Sequence, residues 1–75
     1  MLKLYHREEC HLCELALDLL AHNGFAERLK LIDIDTDPTL GIEFGLRIPV
    51  LEREDGTRLD WPFTKSDLNR FFVLT

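Results

Sequence analysis

Cys10 and Cys13 are the only cysteines of the chain, set as Cys10-His11-Leu12-Cys13 just after the apolar run Leu2, Leu4, Tyr5 and at the start of a helical pattern. This placement suits thiol–disulfide chemistry. A strand that delivers the first cysteine to the first turn of a helix brings its sulfur near unpaired backbone N–H groups and the positive end of the helix dipole, which favour thiolate. The thiolate is the attacking species, and Cys13, on the same helix face, closes a disulfide with Cys10 once a mixed disulfide has formed. Metal binding and inert burial are the competing uses. A structural zinc needs a full tetrahedral set, and the chain offers no second Cys pair; His6 and His11 complete a site only if a strand end and a helix start fold back on one another. Free cysteines also serve as small core residues.

The elements that must position these sulfurs follow from pattern. Leu2 to His6 has the composition of a short strand, and Arg7-Glu8-Glu9 reads as a loop. From His11 to Asn23, Leu12, Leu15, Ala16, Leu19 and Leu20 recur at helical spacing with Leu17 off the stripe, and Asn23-Gly24 is a left-handed stop. Leu29 to Ile34, almost continuously apolar, is expected to be a buried parallel neighbour of the first strand, the helix serving as crossover. Asp37-Pro38 opens a short helix carrying Leu40, Ile42 and Phe44, with Gly45 at its end. Ile48 to Arg53 and Thr57 to Trp61 flank Glu54-Asp55-Gly56, a hairpin signal. Thr64 with Asp67 resembles a capping box, and Phe63 with Leu68 a hydrophobic staple, before Phe71 and Phe72 continue the last helical face.

Seventy-five residues hold one domain, 1–75, with one modest core, so a substrate must bind on the surface near the cysteines. With 45% hydrophobic and 31% charged residues the chain is expected to be folded and soluble, and a net charge of −5 argues against nucleic-acid binding. No apolar stretch approaches the length of about 20 residues needed to span a bilayer, and the N-terminus lacks a basic region followed by an apolar one. A cytoplasmic location is expected, where a Cys pair is more readily catalytic than a structural staple.

The order β-α-β-α-β-β-α, with Cys-x-x-Cys after the first strand and Ile48-Pro49-Val50 opening the third, resembles a thioredoxin-like α/β fold of the glutaredoxin type, a four-stranded mixed sheet flanked by helices. Leu4 to Cys13, Arg47 to Leu51 and Leu59 to Phe63 are similar to the corresponding segments of small bacterial glutaredoxin-like proteins. The resemblance implies that Cys10 is the nucleophile, Cys13 the resolving thiol, and Pro49 a cis-proline facing the active-site disulfide. Proline tolerates the cis bond and lacks a backbone donor, so it can bring a strand start against the sulfurs and leave the Ile48 backbone free to pair with an extended substrate. Ile48, Pro49, Arg7 and His11 are the candidate substrate contacts, with no bound cofactor and no metal expected.

The departures from that family carry chemistry of their own. His11-Leu12 stands where glutaredoxins usually have proline and an aromatic; a protonated His11 stabilises the Cys10 thiolate, while Glu8 and Glu9 oppose it with Arg7 a partial counterweight. The Gly-Gly turn that holds glutathione is replaced by Asp60-Trp61-Pro62-Phe63, although the cap at Thr64, Lys65 and Ser66 still offers N–H groups to an anion. Trp61 and Phe63 are read as core and staple residues rather than a substrate groove. Asp33-x-Asp35-x-Asp37 mimics a calcium loop, but Pro38 and Phe44 occupy its glycine and glutamate positions, so it reads as a strand end entering a helix cap. The charged run Arg47 to Arg58 reads as the exposed faces of a hairpin.

Three functions accommodate these residues. The first is a monomeric thiol–disulfide oxidoreductase acting on a disulfide-containing protein or a glutathionylated substrate and reset by glutathione or a thioredoxin-type reductant. The second is a metal or iron–sulfur module in which two subunits each contribute Cys10 and Cys13. The third is a redox-sensing interaction domain without turnover.

Overall fold

Alternation along β1 (Leu2–His6) sends Leu2 and Leu4 to one side and Tyr5 to the other, so this strand must be covered on both faces. The computed structural model, which describes residues 2–72, supplies that cover; residues 1 and 73–75 of the expected domain lie outside the described residues. After β1 come α1 (His11–His22), β2 (Leu29–Asp33), α2 (Pro38–Phe44), β3 (Val50–Glu52), β4 (Arg58–Asp60) and α3 (Lys65–Phe72). The sheet order is β2-β1-β3-β4, with β1 and β2 parallel and the other pairs antiparallel. This is the expected mixed sheet of a thioredoxin-like fold.

Leu4 lies opposite Leu51 and Tyr5 opposite Val50, so the alternation of both strands divides the core by face. On one face Leu2, Leu4 and Leu51 pack with Ala16 and Leu20 of α1, Phe63, and Leu68 and Phe71 of α3. On the other, Tyr5 and Val50 pack with Ile34 and with Phe44 of α2. The Tyr5 and Phe44 rings stack at 4.1 Å, and the Tyr5 hydroxyl donates to Glu52 at 2.9 Å. Partial burial raises the Glu52 carboxyl, but hydrogen bonds from Arg58 and Tyr5 outweigh it and leave the group below its ordinary pKa. Among the described residues no helix is long and apolar enough to cross a membrane.

The local signals have clear counterparts. Phe25 N–H donates to the Leu20 carbonyl and Gly24 N–H to Ala21, a Schellman pair, with Gly24 at φ +82°. Arg53 N–H meets the Thr57 carbonyl around residues 54–56, where Gly56 sits at φ +89°. Thr64 and Asp67 bond reciprocally: the Asp67 carboxylate accepts from Thr64 N–H at 2.9 Å and Thr64 Oγ1 accepts from Asp67 N–H at 3.2 Å. Phe63 and Leu68 are both buried beside that cap.

Four expectations change. The buried stripe of α1 is Cys13, Ala16 and Leu20 with Leu17 packed beside it, whereas Leu12 and Leu15 are 46% and 41% exposed. A leucine-rich helix offers two overlapping stripes, and the side holding Cys13 is the one turned inward. β2 is an edge strand with Leu31 exposed, not a buried one, and Ile34 leaves it for a 3-10 turn, Ile34–Thr36, that buries its side chain. Ile42 is 88% exposed because helical geometry sets it opposite Phe44 and Leu40. The hairpin strands are shorter than expected: β3 begins only at Val50, after Ile48 and Pro49, and β4 spans Arg58–Asp60.

Leu51 is fully buried at the centre of the larger cluster, so Leu51→Ala should lower unfolding free energy by about 2–5 kcal/mol in urea denaturation. In the hairpin, the Thr57 N–H, the Thr57 hydroxyl and Arg53 hold the Asp55 carboxyl down at about 2, from an ordinary 3.8. Its stabilisation is complete above pH ~4 and is lost as pH falls through the folded value. Asp55→Asn should therefore flatten the decline in urea midpoint between pH 4 and pH 2.

Candidate functional site

The sheet register collects the expected site at one end. His6, the last residue of β1, pairs with Asp33, the last of β2, while Tyr5 pairs with Val50, the first of antiparallel β3. Beyond these residues lie the loop to Cys10, the turn after Asp33, and Ile48-Pro49. β4 leaves the sheet at the same end, where Trp61 N–H donates to the Pro49 carbonyl at 3.2 Å.

Cys10 is the N-cap of α1 itself, with extended backbone (φ −104°, ψ 100°), and its sulfur accepts a hydrogen bond from Cys13 N–H at 3.2 Å. An N-cap acceptor satisfies one of the helix's orphan donors, and here that acceptor is the sulfur expected to react. The two cysteines are joined as a disulfide with Cα atoms 5.2 Å apart. Their exposure differs. Cys13 is 2% exposed on the inward side of α1, whereas Cys10 is only partly buried. Glu9 enters the cap at φ +57°, a left-handed position that nothing in the sequence announced.

The other candidates are disposed differently from one another. The Ile48-Pro49 peptide is cis, as the resemblance implies, and so is Trp61-Pro62; Pro49 is buried. The Ile48 backbone, expected to be free, has its N–H engaged: it donates to the Phe44 carbonyl at 3.1 Å. Arg7 is held by Asp35 through two bonds of 2.9 and 3.3 Å, which turns it toward the 33–36 turn rather than leaving it free. The His11 side chain is 80% exposed, 3.7 Å from Glu14. Of the N–H groups of Thr64, Lys65 and Ser66 expected to face an anion, that of Thr64 is taken by the Asp67 carboxylate, and that bond, followed by Arg70, keeps Asp67 below its ordinary pKa.

Asp33 and Asp37 accept from Asp35 N–H and Thr39 N–H, so the calcium-like triplet is a turn, an ion pair and a helix cap. Among the described residues no group of three or more His, Cys, Asp or Glu side chains is placed to hold a metal. Trp61 is half-buried and meets buried Phe63 edge-to-face at 5.0 Å, which makes the pair core and staple. The run Arg47 to Arg58 is spent in ion pairs, Arg47 with Asp60, Arg53 with Asp55, and Arg58 with Glu43 and Glu52, of which the Arg53 and Glu52 side chains are partly buried.

Residues 1–72 match the family described as Glutaredoxin-like domain (DUF836). The chain belongs to that glutaredoxin-like family. An X-ray structure of the structural-genomics target XcR50 from X. campestris is similar to it, with 40% identity and a TM-score of 0.85 over 95% of this chain and 93% of that one. A solution structure of XcR50 gives 40% identity and a TM-score of 0.80 over 93% and 88%. No curated protein matches. In this glutaredoxin-like chain the two sulfurs are unequal in burial, and reactivity follows access as well as thiolate character. After reduction, iodoacetamide should label Cys10 at least about tenfold faster than Cys13, read by peptide mass spectrometry. Equal labelling would show that burial does not distinguish the thiols.

Proposed function

We propose that this protein is a cytoplasmic, monomeric thiol–disulfide oxidoreductase that reduces protein disulfides or glutathione mixed disulfides through Cys10 and Cys13. The observation that carries the reading is the disulfide at the start of α1, with the more exposed sulfur accepting a backbone N–H at the helix N-terminus. That hydrogen bond and the helix dipole both favour negative charge on Cys10.

In the reaction, the Cys10 thiolate attacks one sulfur of the substrate disulfide. The substrate S–S bond breaks, and the departing sulfur leaves with the electron pair and takes a proton from solvent. Cys13 then loses its proton and attacks Cys10 Sγ in the mixed disulfide, releasing the second substrate thiolate. The substrate has gained two electrons and the protein holds the Cys10–Cys13 disulfide. Two glutathione molecules, or one thioredoxin-type dithiol, return the electrons. Pro49 and the free Ile48 carbonyl offer a surface on which an extended substrate segment can lie; no resident cofactor takes part.

Cys10→Ser should abolish turnover. Cys13→Ser should retain the first exchange and accumulate a mixed disulfide on Cys10, seen as an adduct mass. Equal loss of the first step in both variants would overturn the roles. In glutathione buffers of graded ratio, the wild-type pair should equilibrate between dithiol and disulfide within reach of the cytosolic poise, and failure to form the Cys10–Cys13 disulfide would remove the enzyme reading altogether.

A further inference from the structure

The two residues before Cys10 are acidic, the arginines at this end of the sheet are already paired, and His11, the residue after it, lies 3.7 Å from Glu14. Arg7 is bound through two nitrogens to Asp35, and Arg47 meets both oxygens of Asp60 at 3.2 Å. By contrast Glu8 and Glu9, the residues immediately before Cys10, are exposed and make no hydrogen bond or ion pair among the described residues. Lys65, in the first turn of α3, is a cation without such a partner, but it enters from β4, and Asp67 places an ionised carboxylate in that same turn.

A substrate whose disulfide reaches Cys10 therefore brings its flanking groups close to the two exposed glutamates that precede it in the chain. Opposite charge on those groups raises the encounter rate and steadies the attacking geometry, and like charge does the reverse. We infer that Glu8 and Glu9 are specificity-determining residues that direct Cys10 toward disulfides on positively charged protein segments and away from anionic disulfides, glutathione's among them. This rests on the thiol–disulfide reading above and names the substrate class within it. The two glutamates act on the approach of the substrate, and their opposition to the Cys10 thiolate is common to every substrate, so it leaves both the discrimination between substrates and the electron balance unchanged.

The test uses the reduced full-length chain and three symmetric disulfide-linked peptides of equal length in which the cysteine is flanked by Lys, Gln or Glu. Rates of mixed-disulfide formation are each divided by the rate of dithiothreitol with the same peptide, which removes differences in intrinsic disulfide reactivity. At low ionic strength the Lys peptide should react roughly tenfold faster than the Glu peptide, with Gln between, and the ratio should fall toward unity at 1 M salt, where screening extends only about 3 Å. The double variant Glu8→Gln, Glu9→Gln keeps side-chain size and should bring the low-salt Lys-to-Glu ratio to about threefold or less, a ratio from which any change in the Cys10 thiolate cancels because it is common to all three peptides. A ratio near one, a reversed order, or a ratio indifferent to the double substitution overturns the inference while leaving the redox reading in place. No reaction with any peptide, the neutral one included, overturns the redox reading and the inference with it.

Discussion

Everything at the site depends on the pairing of β1 with a parallel strand on one side and an antiparallel strand on the other. Because β2 runs parallel, the chain must cross back through α1, and that crossover begins at the end of β1. Because β3 runs antiparallel, its first residue stands beside the end of β1. One register thus brings the start of α1 and the residues before β3 to the same end of the sheet. The register is held by burial: a slip of one residue would exchange Leu4 and Leu51 with Tyr5 and Val50 and turn the cores of both faces inside out.

Within that frame the disulfide and the helix are parts of one device. Cys10 caps the helix with its sulfur, and Cys13, whose N–H reaches that sulfur, belongs to the stripe that packs on the sheet. The packing of α1 therefore decides how far each sulfur is exposed. Reactivity in such a pair is a consequence of where the helix lies, as much as of which residues separate the cysteines.

The electrostatics of the same end follow from which carboxylates are consumed. Asp35 and Asp60 are taken by Arg7 and Arg47, Asp33 and Asp37 by backbone N–H groups, and Asp67 by the cap of α3. Arg7, expected as a partial counterweight to Glu8 and Glu9, is itself paired with Asp35.

Signals confined to a few neighbouring residues were legible in the sequence. The Cys pair at a helix start, the Asn23-Gly24 stop, the Asp55-Gly56 hairpin and the Thr64 to Asp67 box all satisfy backbone groups within their own turn, and each formed where its residue types indicated. The strand and helix order was legible for the same reason, since periodicity is a local property. Only the tertiary structure decided which of two leucine stripes on α1 faces inward, that β2 lies at the edge, and that Arg7 joins Asp35. Each of those outcomes pairs groups distant in the chain or selects between nearly equivalent faces. Their free energies arise only when the separate elements pack, and no short stretch of residues carries them alone.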